Sequence, residues 1–401
     1  TSNRWYPCLK MYDGGPIHIN FGQQPFKYPC PYGFGPLCSG NLEKPQFVRS
    51  NGAVGVSTWW GTSADNHFIP SGHQADLLWT KDRDTSSNWY CFDSVRGRTQ
   101  VLHPNLTNAE SGPENNIIRS LTNTNGYVLG QAGDANNSSY EYVGYSWKAG
   151  GNAGTFNKDG VDAGSAAAAG VSDGSITPTA CSVGTAEGFS ILKYTGTGVA
   201  NTIGHGLNAE PKFIICKQTS GTEPWAIYHY GMGNDQRMAL NSSDAKTSTS
   251  TWNSTTPTSS VFSVGVANLS NESSETYIAY CWCNKPGLQR FGKYTGNGSS
   301  DGPYVELGFK PAIVIVKNID EANSWRMWNS KIPGYNVTKN YLSPDGTSAE
   351  GTVNLELDIL SNGFKQRGTN DSANKNDNEY VYMAWAESPY HNLYGGQSRA
   401  M

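Results

Sequence analysis

Hydrophobic and polar positions alternate in short runs along this chain, and one such series of runs is written out three times. The clearest copies open at Lys193-Tyr194-Thr195-Gly196 and Lys293-Tyr294-Thr295-Gly296. At equal spacing both lead to an apolar run ending in lysine, Phe213-Ile214-Ile215-Cys216-Lys217 and Ile313-Val314-Ile315-Val316-Lys317. A diverged copy comes earlier, from Trp59-Trp60-Gly61-Thr62 to Leu77-Leu78-Trp79-Thr80-Lys81. After each lysine the pattern predicts a turn, a strand around Trp89, Trp225 or Trp325, and a variable loop ending near Ala109, Ala245 or Ala349. A short strand follows at Tyr127-Val128-Leu129, Phe262-Ser263-Val264 or Phe364-Lys365-Gln366. The final strand reads Tyr142 to Trp147, Tyr277 to Trp282, and Tyr382-Met383-Ala384-Trp385. Period-two aromatics bounded by turn residues predict β-structure, and no segment carries a helical period. The fold class is therefore all-β, a tandem array of three related β-sandwich-like repeats.

The pattern divides the chain into a leading segment 1–46, repeat 1 at 47–148, a connector at 149–187, repeat 2 at 188–286, repeat 3 at 287–392 and a tail at 393–401. In the leading segment Ile17-His18-Ile19-Asn20-Phe21 alternates like a half-buried strand, which cannot fold alone. That segment therefore reads as the end of a separate domain, and the missing initiator Met as the mark of a processed or truncated product. The connector is rich in Gly and Ala, including Ser165-Ala166-Ala167-Ala168-Ala169-Gly170. It reads either as a flexible linker or as an ordered arm whose Thr155-Phe156 and Ile176-Thr177-Pro178 pair with a sheet edge. Repeats 2 and 3 are joined so closely that they are expected to form a fixed pair.

Composition narrows the function more by exclusion. Charged residues make up 15% of the chain, with 29 basic against 33 acidic, and no Lys/Arg run suggests a nucleic-acid or anionic-membrane partner. No apolar stretch is long enough to insert into a bilayer. The repeats also serve as an internal control on the eight cysteines. Cys91 aligns with Ile227 and Met327, Cys216 with Thr80 and Val316, and Cys281 with Ser146 and Ala386, so no disulfide recurs and these thiols read as buried side chains. Cys8, Cys30 and Cys38 lie outside the repeats, where a bridge stays open.

Two stretches carry a family resemblance. Asn20-Phe21-Gly22-Gln23-Gln24-Pro25-Phe26-Lys27-Tyr28, followed by Pro31-Tyr32-Gly33-Phe34, resembles the closing strand of SPRY-like β-sandwich domains. Gly151-Asn152-Ala153-Gly154-Thr155-Phe156-Asn157, running through Ile176-Thr177-Pro178-Thr179 to Gly188-Phe189-Ser190-Ile191-Leu192-Lys193-Tyr194-Thr195-Gly196, resembles a repeat family of tailed-bacteriophage structural proteins. Phe92-Asp93-Ser94-Val95-Arg96-Gly97 and Tyr277-Ile278-Ala279-Tyr280-Cys281-Trp282 match it as well. The resemblance implies a tail fibre or other virion appendage at the particle surface, assembled with other virion proteins. It further implies contact with a host-surface glycan or envelope component, and a homo-oligomer, a trimer on the fibre analogy. It supplies no catalytic residues and no cofactor.

The residues themselves agree in offering little chemistry. No His-Glu-x-x-His, Gly-x-Ser-x-Gly or phosphate-binding glycine loop is present. His229 lies in an inviting Tyr-His-Tyr triplet, but Asp93 and Asn329 occupy its place in the other copies, so a structural role is the simpler expectation. Asp82, Asp84, Asp371, Asp377 and Glu387 are the acids a polysaccharide depolymerase would draw on. Asp82 and Asp84 are also weak calcium candidates, against the reading of a capped turn. Trp89, Trp225 and Trp325 recur and so belong in the core, as do Tyr142, Tyr277 and Tyr382. Sugar-stacking rings are expected where the copies differ, at Trp60 and His67, Trp252, and Tyr335 and Tyr341. The expected function is non-enzymatic host-surface recognition, with a carbohydrate-binding protein outside any virion and a depolymerase as the alternatives.

Overall fold

Each copy of the repeat begins and ends on strands that pair with each other. The computed structural model describes residues 50–352, 355–389 and 398–401. The SPRY-like segment and Cys8, Cys30 and Cys38 lie outside them. Repeat 1 contains β1 (Val54–Trp60), β2 (His67–Pro70), β3 (Leu77–Asp82), β4 (Tyr90–Asp93), β5 (Ile118–Ser120), β6 (Gly126–Leu129) and β7 (Glu141–Trp147). The connector adds β8 (Phe156–Lys158), β9 (Val161–Asp162) and β10 (Ala180–Gly184). Repeat 2 contributes β11 (Phe189–Thr195), β12 (Asn201–Gly204), β13 (Pro211–Gln218), β14 (Ala226–His229), β15 (Gln236–Ala239), β16 (Thr247–Ser248), β17 (Val261–Val264) and β18 (Thr276–Cys283). Repeat 3 contributes β19 (Gln289–Thr295), β20 (Tyr304–Glu306), β21 (Phe309–Asn318), β22 (Arg326–Asn329), β23 (Leu357–Leu360), β24 (Gly363–Gln366) and β25 (Glu379–Pro389).

The main sheets run β1-β7-β3-β4 and β19-β25-β21-β22, and the same order, β11-β18-β13-β14, lies inside the sheet of repeat 2. Small sheets β2-β6-β5, β12-β17 and β20-β24-β23 cover one face of each. Between the two layers lie separate cores, built around Trp59, Tyr127 and Tyr142 in repeat 1, Tyr194, Trp252 and Tyr277 in repeat 2, and Phe364 and Tyr380 in repeat 3. The fold is all-β and of sandwich type. The connector is ordered: Phe156 pairs with Cys181, Ile176 bridges to Ile203, and β10 extends the repeat 2 sheet along β11.

The other faces of the three main sheets meet in one shared core. The repeats therefore close on one another, and repeat 1 joins the unit as fully as the other two do. At the centre, Trp147, Trp282 and Trp385 stand edge to face, with ring centroids 6.3, 5.4 and 5.9 Å apart and planes inclined by 68 to 70°. Such pairs add about 0.5–1.5 kcal/mol each beyond their area burial. Around them the recurrent tryptophans latch each repeat to its neighbour. Trp89 Nε1 donates to Ser343 O, Trp225 Nε1 to His103 O and Leu106 O, and Trp325 Nε1 to Ala239 O and Ser242 O, at 3.0 to 3.1 Å. The direction is cyclic, repeat 1 to 3, 3 to 2 and 2 to 1, which makes the assembly a ring. Its two ends also meet, because Ser50 Oγ donates to Glu387 O.

The pairing corrects the alignment of the third copy by two residues. Trp385 occupies the place of Trp147 and Trp282, so the counterpart of Tyr142 and Tyr277 is Tyr380, and that of Cys281 is Ala384. The three tyrosines make the same pair of hydrogen bonds. Each hydroxyl accepts from a backbone N–H, of Asn137, Glu272 or Lys375, and donates to a carbonyl, of Gly133, Asn268 or Asp371. The Tyr-Thr-Gly motif has a steric reason as well. A Cβ on Gly61, Gly196 or Gly296 would lie 2.0 to 2.2 Å from the carbonyl oxygen of Asn137, Glu272 or Lys375. Cys91, Cys181, Cys216, Cys281 and Cys283 are free and buried.

Candidate functional site

Repeat 1 opens a groove where the edge of its main sheet, β1, passes the edge of its small sheet, β2. Thr58, His67, Phe68 and Pro70 line it from repeat 1 and Lys331 from repeat 3, around a volume of about 410 Å³. That falls within the ~300–1,000 Å³ usual for small-ligand clefts. Successive side chains of a strand alternate between faces, so Trp60 shares the face of Thr58. Its indole is 60% exposed and the Phe68 ring 43%, whereas most large aromatics in the described residues are buried. His67 is held by a 3.0 Å contact from Nδ1 to Asn136 Oδ1, which makes Nδ1 the protonated nitrogen. The loop carrying Lys331 is pinned in turn: Asn329 Oδ1 accepts from the N–H groups of Lys331 and Ile332, and the Asn336 side chain bonds Ile359 through both its oxygen and its nitrogen. Tyr335 stands on the same loop, 66% exposed.

The other expected sugar contacts lie elsewhere. Trp252 is a correction: it is 1% exposed and packs edge-on against Tyr228 in the core of repeat 2, so no sugar can reach its face. Its loop varies in sequence, yet it turns the indole into the core of repeat 2. Tyr341 is half-buried, with the Arg326 guanidinium 5.0 Å over its ring. The groove thus gathers His67, with Trp60 on the adjoining strand face and Tyr335 on the loop that supplies Lys331. Phe68 and Lys331 escaped the sequence reading. For Phe68 a signal existed: its counterpart in repeat 2, given by the pairing of β12 with β17, is Thr202.

The polar candidates hold structure. Asp82 accepts from the N–H groups of Asp84 and Thr85 and from the Thr85 hydroxyl, and Asp84 accepts from Glu141 N. Asp371 faces Lys375 at 4.0 Å, and Glu387 pairs with Lys310 at 3.1 Å. Among the described residues, no three His, Cys, Asp or Glu side chains gather to hold a metal ion. His229 Nδ1 accepts from Gly231 N while Nε2 donates to Tyr382 O across the junction with repeat 3. Burial pushes its pKa down to about 3, so it is a neutral ring that joins two repeats. The residues that replace it do the same at the other junctions. Asp93 accepts from the Tyr280 hydroxyl at 2.7 Å, and Asn329 Nδ2 donates to the Tyr145 hydroxyl at 3.0 Å. Identity varies at this position because each neighbour presents a different partner. Lys81, Lys217 and Lys317 are likewise equivalent. Burial lowers each to about 8, and each ammonium is ringed by backbone carbonyls, with Thr107 O and Ser243 O supplied to Lys217 and Lys317 by the preceding repeat.

The geometry defines a class: a closed ring of three β-sandwich repeats about an aromatic axis, with an open groove at the edge of repeat 1. The family model described as Domain of unknown function (DUF7483) matches residues 54–389, from the first residue of β1 to the last of β25. The chain belongs to that family, and the match spans the whole ring. No curated protein and no solved structure matches the chain.

Proposed function

We propose that this chain is a structural virion protein of a tailed phage, a fibre or other surface appendage that contributes to recognition of a glycan on the host surface. The observation that carries this reading is the contrast between a ring rigidified by a shared aromatic core and a groove in repeat 1 that has Phe68 exposed in its wall and Trp60 exposed on the strand that borders it. Exposed aromatic rings on a pinned scaffold suit stacking on sugar faces. Of the acids that a depolymerase would draw on, Asp82, Asp84, Asp371 and Glu387 are engaged in turns or ion pairs, which favours binding over cleavage. The resemblance of the repeats to phage structural proteins supports a place in the virion, next to other virion proteins. Association into a homo-oligomer, a trimer on the fibre analogy, belongs to the same proposal, and the native mass of protein extracted from particles tests it.

The test of the function is adhesion. Labelled purified chain is expected to bind intact host cells and to lose that binding after periodate oxidation of the cell-surface sugars. Binding that survives periodate, or the absence of this chain from purified particles, would overturn the reading. Release of reducing ends from host polysaccharide would transfer the protein to the depolymerase class.

A further inference from the structure

We propose that the groove between β1 and β2 of repeat 1 binds an acidic oligosaccharide, with Trp60 and Phe68 as stacking platforms and Lys331 as the anchor for a carboxylate. This inference rests on the glycan-recognition reading and narrows it to one surface and one charge class.

The ring contains its own comparison. In repeat 2 the corresponding space between β11 and β12 is filled by the connector, whose Val171, Ile176 and Val183 join the local core. The connector is pinned there by Thr202: Ser175 N donates to its hydroxyl at 3.1 Å, and Ser175 Oγ also reaches it. In repeat 1 no described segment fills the space. Phe68 stands in place of Thr202, and Trp60 in place of Thr195. The fold accepts threonine at both positions, so folding does not require the two rings. Phe68 removes the hydroxyl that would tether a polypeptide and offers a ring face in its place. The rings therefore favour a ligand with CH-rich faces over a peptide strand.

Charge selects the sugar. No carboxylate among the described residues lines the groove, and Lys331 is exposed, with no ion pair to any described residue. A lone cation in an aromatic cleft attracts an anion, and a uronic acid presents a carboxylate beside a pyranose face. Thr58 and the His67 ring, whose Nδ1 is already engaged, add hydrogen-bonding groups for ring hydroxyls.

The test uses the full chain and two probes, hexagalacturonate and neutral maltohexaose, measured by titration calorimetry. The uronide is expected to bind, and Trp60→Thr/Phe68→Thr to weaken it at least tenfold without moving the melting temperature. Lys331→Gln should weaken the uronide several-fold and leave maltohexaose unchanged. Uronide binding that is absent, or equal in the double variant and the parent, overturns the proposal. So does a peptide of residues 171–184 that binds the groove while the uronide does not. Host-cell adhesion separates the two claims. If the double variant still adheres in a periodate-sensitive manner, the groove assignment falls and the glycan reading stands. If the groove binds uronide but the parent chain does not adhere to cells, the groove stands and the host-recognition reading falls.

Discussion

At the axis of the ring, one position of the repeat holds Trp147, Trp282 and Trp385, and the three indoles touch. At the rim, another holds Trp60, Thr195 and Thr295; all three are exposed, and only in repeat 1 is the exposed side chain an aromatic ring. Both sites carry aromatic residues, but the first answers to packing and the second does not. Sameness between repeats therefore marks what closes the ring. Difference marks what the ring displays, provided the side chain that differs is exposed.

The axis offers the hardest blow to that contrast. Trp282→Ala is expected to cost about 3–5 kcal/mol, as large aromatic truncations in cores do, and to lower the stability of all three repeats together because they share one core. Separate transitions in urea would show that the repeats are independent after all. Acid should act on a similar scale. Burial lowers His73 and His205 to about 4 and His229 to about 3, from an ordinary value of 6.5. The unfolded chain then binds more protons below pH 6.5, so stability falls on acidification, by roughly 1.4 kcal/mol per pH unit for each histidine. Asp76, raised by burial from 3.8 to about 6, binds its proton earlier when folded and offsets about one histidine in that window. The net slope is that of roughly two histidines. His229→Asn, which installs the residue found at the repeat 3 to repeat 1 junction, is expected to halve it, as read from urea midpoints at three pH values.

Smaller changes separate junctions from edges. Tyr280→Phe removes the hydroxyl that donates to buried Asp93 and is expected to cost about 1.5–3 kcal/mol, the range for hydrogen bonds to charged groups. Ser182→Ala strips the buried hydroxyl that accepts from Gly150 N and donates to Gly151 O, and should cost about 1–3 kcal/mol in the same unfolding assay. At the rim, Trp60→Thr is expected to shift stability by less than about 0.5 kcal/mol. A loss there as large as at Trp282 would erase the distinction between axis and rim.

Much of the fold was legible because the repeat is written in residues whose reasons are local. The glycine that closes the opening strand, the strand ending in lysine and the recurrent Trp each mark a constraint that all three copies obey. Ring closure was not legible, because Trp147, Trp282 and Trp385 meet only when three distant strands converge, and periodicity within a strand carries no record of its neighbours. The third copy was misaligned because Tyr380 and Tyr382 offer the same aromatic alternation two residues apart. At the site, variability pointed to Trp60 and Tyr335, which are exposed, and equally to Trp252, which is not. A loop that differs between copies can still turn its aromatic residue inward. Lys331 joins the groove from another repeat, a juxtaposition that only closure creates.

The hydrogen bond from Ser50 to Glu387 has a topological meaning. A body whose first and last strands leave from the same spot can be spliced into a host chain at a single surface turn, with little strain on either side. The ring behaves as a cassette. Its threefold interior would tolerate relocation of the break to another exposed turn, and the groove would travel with it unchanged.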